Sequence, residues 1–241
     1  PAGVKIIVGS KGTIIRSTND GTSWEKLNSG DSYLIPSVTF VTDTKVLATG
    51  EGGFLYRSLD GGNTWNKIQS SSMYTTFTDI AFLDSLTGIV IGSGELRRTT
   101  NGGTTWSNIN IGSAPPTFNR CMFVSPSIGF AVGSAVYKTT NRGASWNRLI
   151  SLTSFTAYGI HAFDSSKIVI GGSLGTIWST TNGGTQWTIR FPVVRYTLKT
   201  VVPLSQNTYL AAGESGSVLS STDGGLNWIK KPNSFTHGFD D

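Results

Sequence analysis

Cysteine occurs once, at Cys121, so no disulfide can form within the 241 residues and thiol usage does not assign a redox compartment. Charge is scarce as well, with only 14% of residues Asp, Glu, Lys or Arg. The 19 basic residues outnumber the 14 acidic ones, for a net charge of +5, yet they are scattered along the chain. That scatter excludes the dense basic arm of a nucleic-acid binder and permits an acidic partner. No apolar run approaches the ~20 residues of a membrane-spanning helix, and no helical apolar period persists for three turns. Phosphate loops, dinucleotide fingerprints and a Ser/His/Asp set are missing from the sequence, so no cofactor is expected. The chain opens Pro1-Ala2-Gly3, as expected of a mature or excised domain.

Glycine, in contrast, is abundant at 30 residues, and one octapeptide recurs. Ser58-Leu59-Asp60-Gly61-Gly62-Asn63-Thr64-Trp65 returns as Ser17 to Trp24, Thr99 to Trp106, Thr139 to Trp146, Thr180 to Trp187 and Ser221 to Trp228. The closing tryptophans are spaced by 41, 41, 40, 41 and 41 residues. Each copy carries Ser or Thr, then Asp or Asn two positions on, then a Gly two further on. An Asp or Asn carboxyl or amide oxygen satisfies backbone N–H groups a few residues ahead, and a hydroxyl does so more weakly. The recurrent glycines Gly21, Gly62, Gly103, Gly143, Gly184 and Gly225 suit a positive φ. The tryptophans are expected to bury roughly 150–250 Å² each in a repeated core.

Between tryptophans the pattern holds four short strands, A to D, with the octapeptide joining C to D. In one unit these are Thr78–Phe82, Ile89–Ile91 and Glu95–Thr99, preceded in the chain by the polar strand Asn66–Gln69 that ends the unit before. Four strands in about 40 residues, six times over, predict an all-β, six-bladed β-propeller of four-stranded antiparallel blades, one domain spanning 1–241. Phe40, Phe82, Phe123, Phe163 and Val202 read as the strand A anchors. The chain opens directly on strand B at Val4–Val8, so the C-terminal segment Phe235–Asp240 is expected to complete the first blade and close the ring.

The octapeptide resembles the Asp-box, or BNR repeat, of sialidases, sortilin-type receptors, some glucanases and the photosystem II stability/assembly factor family. Blades of the last family typically read Leu-x-Arg-Thr-Thr-Asp-Gly-Gly-x-Thr-Trp, and Leu55 to Trp65 follows that pattern closely. The resemblance implies a propeller outside the cytoplasm, secreted, periplasmic or at the cell surface.

In this topology the D-to-A connectors and B-to-C turns share one end of each blade, and the boxes lie at the other. The first end gathers Tyr33, Tyr74, Phe118, Tyr158, Arg195 and Tyr196 from connectors, Asp79, Arg120 and Lys199 from strand A, and Glu51, Glu95 and Glu214 from turns. Aromatics beside charged groups make a peptide or glycan site; the alternative is that the rings plug gaps between blades. A basic column, Arg16, Arg57, Arg98 and Lys138, precedes the box in the first four repeats and gives way to Ser179 and Ser220. It offers a positive arc for an acidic partner, in line with the arginine-rich partner surface that the assembly-factor resemblance implies; the alternative is stems lying on apolar blade faces with heads in water. Cys121, His161 and His237 fall in one repeat column, which reads as core packing in preference to a metal site.

The leading expectation is a non-catalytic binding or assembly scaffold for a protein or peptide partner, a monomeric domain, either by itself or as part of a larger protein. The sialidase resemblance implies a glycan-directed alternative, in which Arg120 and Arg195 would serve with Tyr158 or Tyr196 and Asp79. That pattern is poorly met, with only Glu25, Glu51, Glu95 and Glu214 as glutamates. An inert spacer or engineered propeller is the third alternative.

Overall fold

The computed structural model describes residues 3–69, 75–112, 116–152, 154–191 and 194–232. Short β-branched and apolar runs, cut by Gly, Asn, Asp and Ser turns, form strands of two to six residues. The first sheet holds β1 (Lys5–Val8), β2 (Thr13–Ser17) and β3 (Glu25–Asn28), and the second β4 (Val38–Phe40), β5 (Val46–Thr49), β6 (Phe54–Ser58) and β7 (Asn66–Gln69). The third comprises β8 (Phe77–Phe82), β9 (Gly88–Gly92), β10 (Leu96–Thr99) and β11 (Ser107–Asn108), and the fourth β12 (Phe118–Phe123), β13 (Gly129–Gly133), β14 (Ala135–Thr139) and β15 (Asn147–Ser151). The fifth has β16 (Ala157–Ala162), β17 (Ile168–Gly172), β18 (Ile177–Thr180) and β19 (Thr188–Arg190), and the sixth β20 (Leu198–Pro203), β21 (Tyr209–Gly213), β22 (Val218–Ser221) and β23 (Ile229–Lys230). Neighbours in sequence are neighbours in each sheet, giving the four-stranded meander of a propeller blade six times, with three strands described in the first. The expected closing segment, Phe235–Asp240, lies outside the described residues.

The chain divides into two compact units, one of residues 1–121 with 142–145, the other of 122–141 with 146–241. The second strands of the third, fourth and fifth sheets, β9 (GIVIG), β13 (GFAVG) and β17 (IVIGG), are buried at every residue. Such unbroken apolar runs belong to strands covered on both faces. Fourth strands such as β11 and β23 are exposed throughout. In the first unit Leu47, Leu55, Phe77, Ile80 and Val90 form one core cluster; in the second, Val169, Ile177, Leu198, Val201, Tyr209 and Leu219 form another.

The box turns satisfy themselves as expected. Ser58 Oγ accepts from Gly62 N at 2.8 Å and donates to Asp60 Oδ1 at 2.7 Å, while Asp60 Oδ1 also accepts from Thr64 N at 2.9 Å. The same set recurs at Ser17, Thr99, Thr180 and Ser221. Gly62, at φ +86°, meets the expected positive φ, but its missing Cβ has a second use: one built there would fall 2.2 Å from Ile6 Cδ1 of the first sheet. Gly103 likewise leaves room for Leu47, and Gly184 for Leu149.

The tryptophans do not share one degree of burial. Trp146 is 6% exposed but Trp24 is 39% exposed, while Trp65, Trp106, Trp187 and Trp228 are partly buried and pack against the core clusters as expected. The Trp24, Trp65 and Trp228 indole N–H groups donate to Gly21, Gly62 and Gly225 carbonyls at 2.9–3.0 Å. Two strand A anchors also need correcting. Phe82, Ala162 and Pro203 are the equivalent residues, opposite Gly88, Ile168 and Tyr209, so Phe163 and Val202 each sit one position out of register and are exposed. The shift breaks the Cys121/His161 column too, since His161 pairs with Val169 at the position that Ala81 fills opposite Ile89. Phe118, expected at a binding end, is fully buried.

Candidate functional site

In the second unit the inner strands carry matching bulges. β16 pairs Ala157 with Gly172 and Gly159 with Gly171, and β20 pairs Leu198 with Gly213 and Thr200 with Ala212, leaving Tyr158 and Lys199 as the extra residues. A bulge re-aims the side chain of its unpaired residue. Here the two meet: Lys199 Nζ lies 4.6 Å from the Tyr158 ring centroid and 3.6 Å from Glu214 Oε1. Gly159 permits the approach, since a Cβ there would stand 2.8 Å from Thr200 Cα. Hydrogen bonding to Thr197, with Lys199 beside it, holds the Glu214 carboxyl below its ordinary range.

Connectors and turns interlock around this pair. Thr156 N donates to Ser173 Oγ at 3.0 Å, Gly175 abuts the Val194 carbonyl, and Thr197 N donates to Glu214 Oε2 at 3.3 Å. Arg195 and Tyr196 stand exposed on this end, and the Phe155 and Phe191 rings meet at 5.9 Å between centroids. Beneath them is a small cavity lined by Leu152, Phe155, Ala157, Ile170, Thr176 and Trp178, among other residues. Thr176 Oγ1 and Trp178 Nε1 are buried there without a hydrogen-bond partner. Of the residues singled out from sequence, Tyr158, Arg195, Tyr196 and Lys199 are thus brought together at one end of this unit.

The first unit uses its candidates differently. Tyr33 stacks obliquely on Phe54 at 5.7 Å, and Lys67 Nζ sits 4.6 and 3.6 Å from the two ring centroids while pairing with Asp31 Oδ2 at 2.7 Å. Tyr56 donates its hydroxyl to the same oxygen at 2.7 Å. Burial works to raise the Asp31 pKa, but hydrogen bonds from Lys67, Tyr56 and the Tyr33 N–H outweigh it and hold the carboxyl low. Burial, and then Asp31, pushes the Tyr56 phenol up. This is an internal cation cage, with Lys67 as its occupant.

Asp79 is buried. Its Oδ1 accepts from Ser37 Oγ at 2.7 Å and its Oδ2 from Cys121 N at 2.8 Å, so one carboxylate joins residues of three successive repeats. Burial raises its pKa against the opposing pull of Arg120. Burial also pushes the Cys121 thiol well up. Both carboxylate oxygens are thus engaged within the protein. Tyr74 lies outside the described residues.

The basic column reaches across sheets. Arg16 Nε donates to Gly61 O at 2.9 Å, Arg98 Nε to Arg142 O at 2.9 Å and Lys138 Nζ to Gly183 O at 2.9 Å. In each case the acceptor is the residue before the conserved box Gly of the following repeat. Arg57 departs from this: its Nε is buried without a partner, and Lys45 Nζ takes the corresponding carbonyl, Gly102 O, at 3.3 Å. Sequence reasoning found the column but not its acceptors, which lie about 45 residues away.

Leu174 was missed altogether. It tops the turn Ser173–Gly175 at φ +56° and is 60% exposed. Comparison of repeats would have found it, since Lys11, Gly52 and Ser215 hold the same turn position.

No curated protein matches the chain. Among solved structures, one described as YCF48 bound to D1 peptide is 21% identical, with a TM-score of 0.79 over 100% of this chain and 83% of that one. YCF48 from Cyanidioschyzon merolae is 20% identical, with a TM-score of 0.73 over 95% and 81%. An ancestral GH74 enzyme is 14% identical with a TM-score of 0.78, and this chain, covered over 95%, spans 37% of it. These similarities establish the β-propeller fold. The family model described as photosynthesis system II assembly factor YCF48 matches residues 70–196, more than half of the sequence, and the chain belongs to that family.

Proposed function

We propose that the chain is a non-catalytic assembly scaffold, a single six-bladed Asp-box propeller working outside the cytoplasm, that binds a peptide segment of a partner protein. The observation that carries this reading is the similarity over the whole chain to a YCF48 structure holding a D1 peptide. Rigid, self-satisfied box turns and interlocked connectors suit a scaffold that presents a fixed surface. The enclosure of Asp79 by Ser37 and Cys121 weighs against the glycosidase alternative. Calorimetric titration of a synthetic D1 peptide into the purified chain tests the proposal. Saturable binding at micromolar or lower Kd is expected, and no binding at millimolar peptide would refute it.

A further inference from the structure

We infer that the connector end of the second unit, centred on Leu174, Phe191 and Arg195, is the docking surface, and that its occupant is an acidic peptide segment with an apolar or aromatic anchor. This deepens the proposed peptide-binding reading and rests on it. This end of the fifth repeat differs from the same end of other repeats. At the tip of the B-to-C turn a left-handed backbone is required, and Gly52 supplies it without strain in the second repeat. The fifth repeat instead places Leu174 there, at φ +56° and 60% exposed, combining an unfavourable backbone with an uncovered apolar side chain. Phe191, 65% exposed, stands four residues after Trp187, where Asn28 and Asn110 stand after Trp24 and Trp106. Arg195, eight residues after Trp187, replaces the serines Ser32 and Ser154 of other repeats. Against these repeats three neighbouring slots depart from polar or flexible residues, two toward exposed apolar surface and one toward positive charge, although the fourth repeat also has an apolar residue, Ile150, in the slot of Phe191.

Together with half-exposed Tyr196, these residues give an apolar surface edged by a cation, while Glu214, the nearby carboxylate, is paired with Lys199. Charge complementarity selects an acidic peptide, and the exposed rings select its anchor.

The test uses substitutions the chain already tolerates in its other repeats: Leu174→Gly, Phe191→Asn and Arg195→Ser, combined. Two sets of probes are titrated: a D1 peptide, and a blocked nonapeptide alternating Asp with Phe, with versions carrying Asn for Asp or Ser for Phe. The acidic aromatic peptide is expected to bind wild type, to weaken at least tenfold in either altered version, and to weaken at least tenfold against the triple variant at unchanged Tm. Binding of the triple variant within twofold of wild type, or no binding of the nonapeptide to wild type, would overturn the assignment. A D1 peptide that binds both proteins equally removes this surface but leaves the proposed function standing. A D1 peptide that binds neither, while the nonapeptide binds wild type alone, removes the proposed function and upholds the surface.

Discussion

Ile6 of the first sheet occupies the space that a side chain on Gly62 of the second would need, with 2.2 Å between Ile6 Cδ1 and the position of a Cβ. Gly61, one residue earlier and at φ +70°, has nothing nearer than 3.6 Å. The two glycines therefore separate backbone strain from close packing. Gly61→Ala should cost about 1 kcal/mol, from the left-handed conformation alone. Gly62→Ala adds overpacking and should cost about 3 kcal/mol. Urea unfolding of both variants checks the ranking, and equal losses would contradict it.

The cations before the boxes act as clasps between sheets. Arg16→Met and Lys138→Met keep the apolar stem but leave the Gly61 and Gly183 carbonyls without their charged donors. Each should lose about 1–2 kcal/mol of stability and leave peptide affinity within twofold. Unchanged stability with lost binding would instead make the column a partner surface.

Asp60 and Asp223 are the two box carboxylates, and both are held at about 2. For Asp60 the main cause is the Thr64 hydroxyl; for Asp223 it is the Asn227 N–H. Because the folded values lie below the ordinary Asp value of 3.8, the unfolded chain binds more protons between them. Their contribution is complete above pH ~4 and is lost as pH falls through ~2. The other boxes use Asn, and Asn101 Nδ2 donates to Thr105 Oγ1 at 2.8 Å where Asp60 accepts from Thr64 Oγ1 at 2.6 Å. Asp60→Asn/Asp223→Asn should therefore fold normally and show a shallower fall of Tm from pH 5 to pH 2. A slope equal to wild type would show that these carboxylates are not coupled to folding.

Removing the Asp79 carboxylate leaves the Ser37 hydroxyl and the Cys121 N–H unpaired in the interior. Asp79→Ala should cost about 3 kcal/mol, measured by denaturant unfolding. A loss of peptide affinity at full stability would return Asp79 to the list of ligand-binding residues.

Much of the fold was legible because the box reports both a turn and its period. Ser58, Asp60 and Gly62 satisfy one another within a few residues, so local chemistry specifies the C-to-D reversal. What joins one repeat to the next was hidden. The acceptor of Arg16, the glycine Gly62 against which Ile6 packs and the partners of Asp79 lie 42 to 56 residues off, where spacing within a repeat carries no signal. The one-residue slips at Phe163 and Val202 arose because the equivalent positions hold the small Ala162 and the strand-breaking Pro203, while the larger or β-branched side chain stands next to them. Of the residues expected at a site, Tyr158 and Lys199 meet and Arg195 and Tyr196 are exposed, whereas Tyr33 cages Lys67 and Asp79 bonds Ser37 and Cys121.

Amide chemical-shift mapping during titration of a D1 peptide tests the central claim most directly. The account predicts saturable shifts confined to residues 155–158, 173–175, 191, 194–199 and 214–216, with the box turns unmoved. Shifts centred on the box turns at 58–65 or 180–187, or no shifts at all, would contradict it.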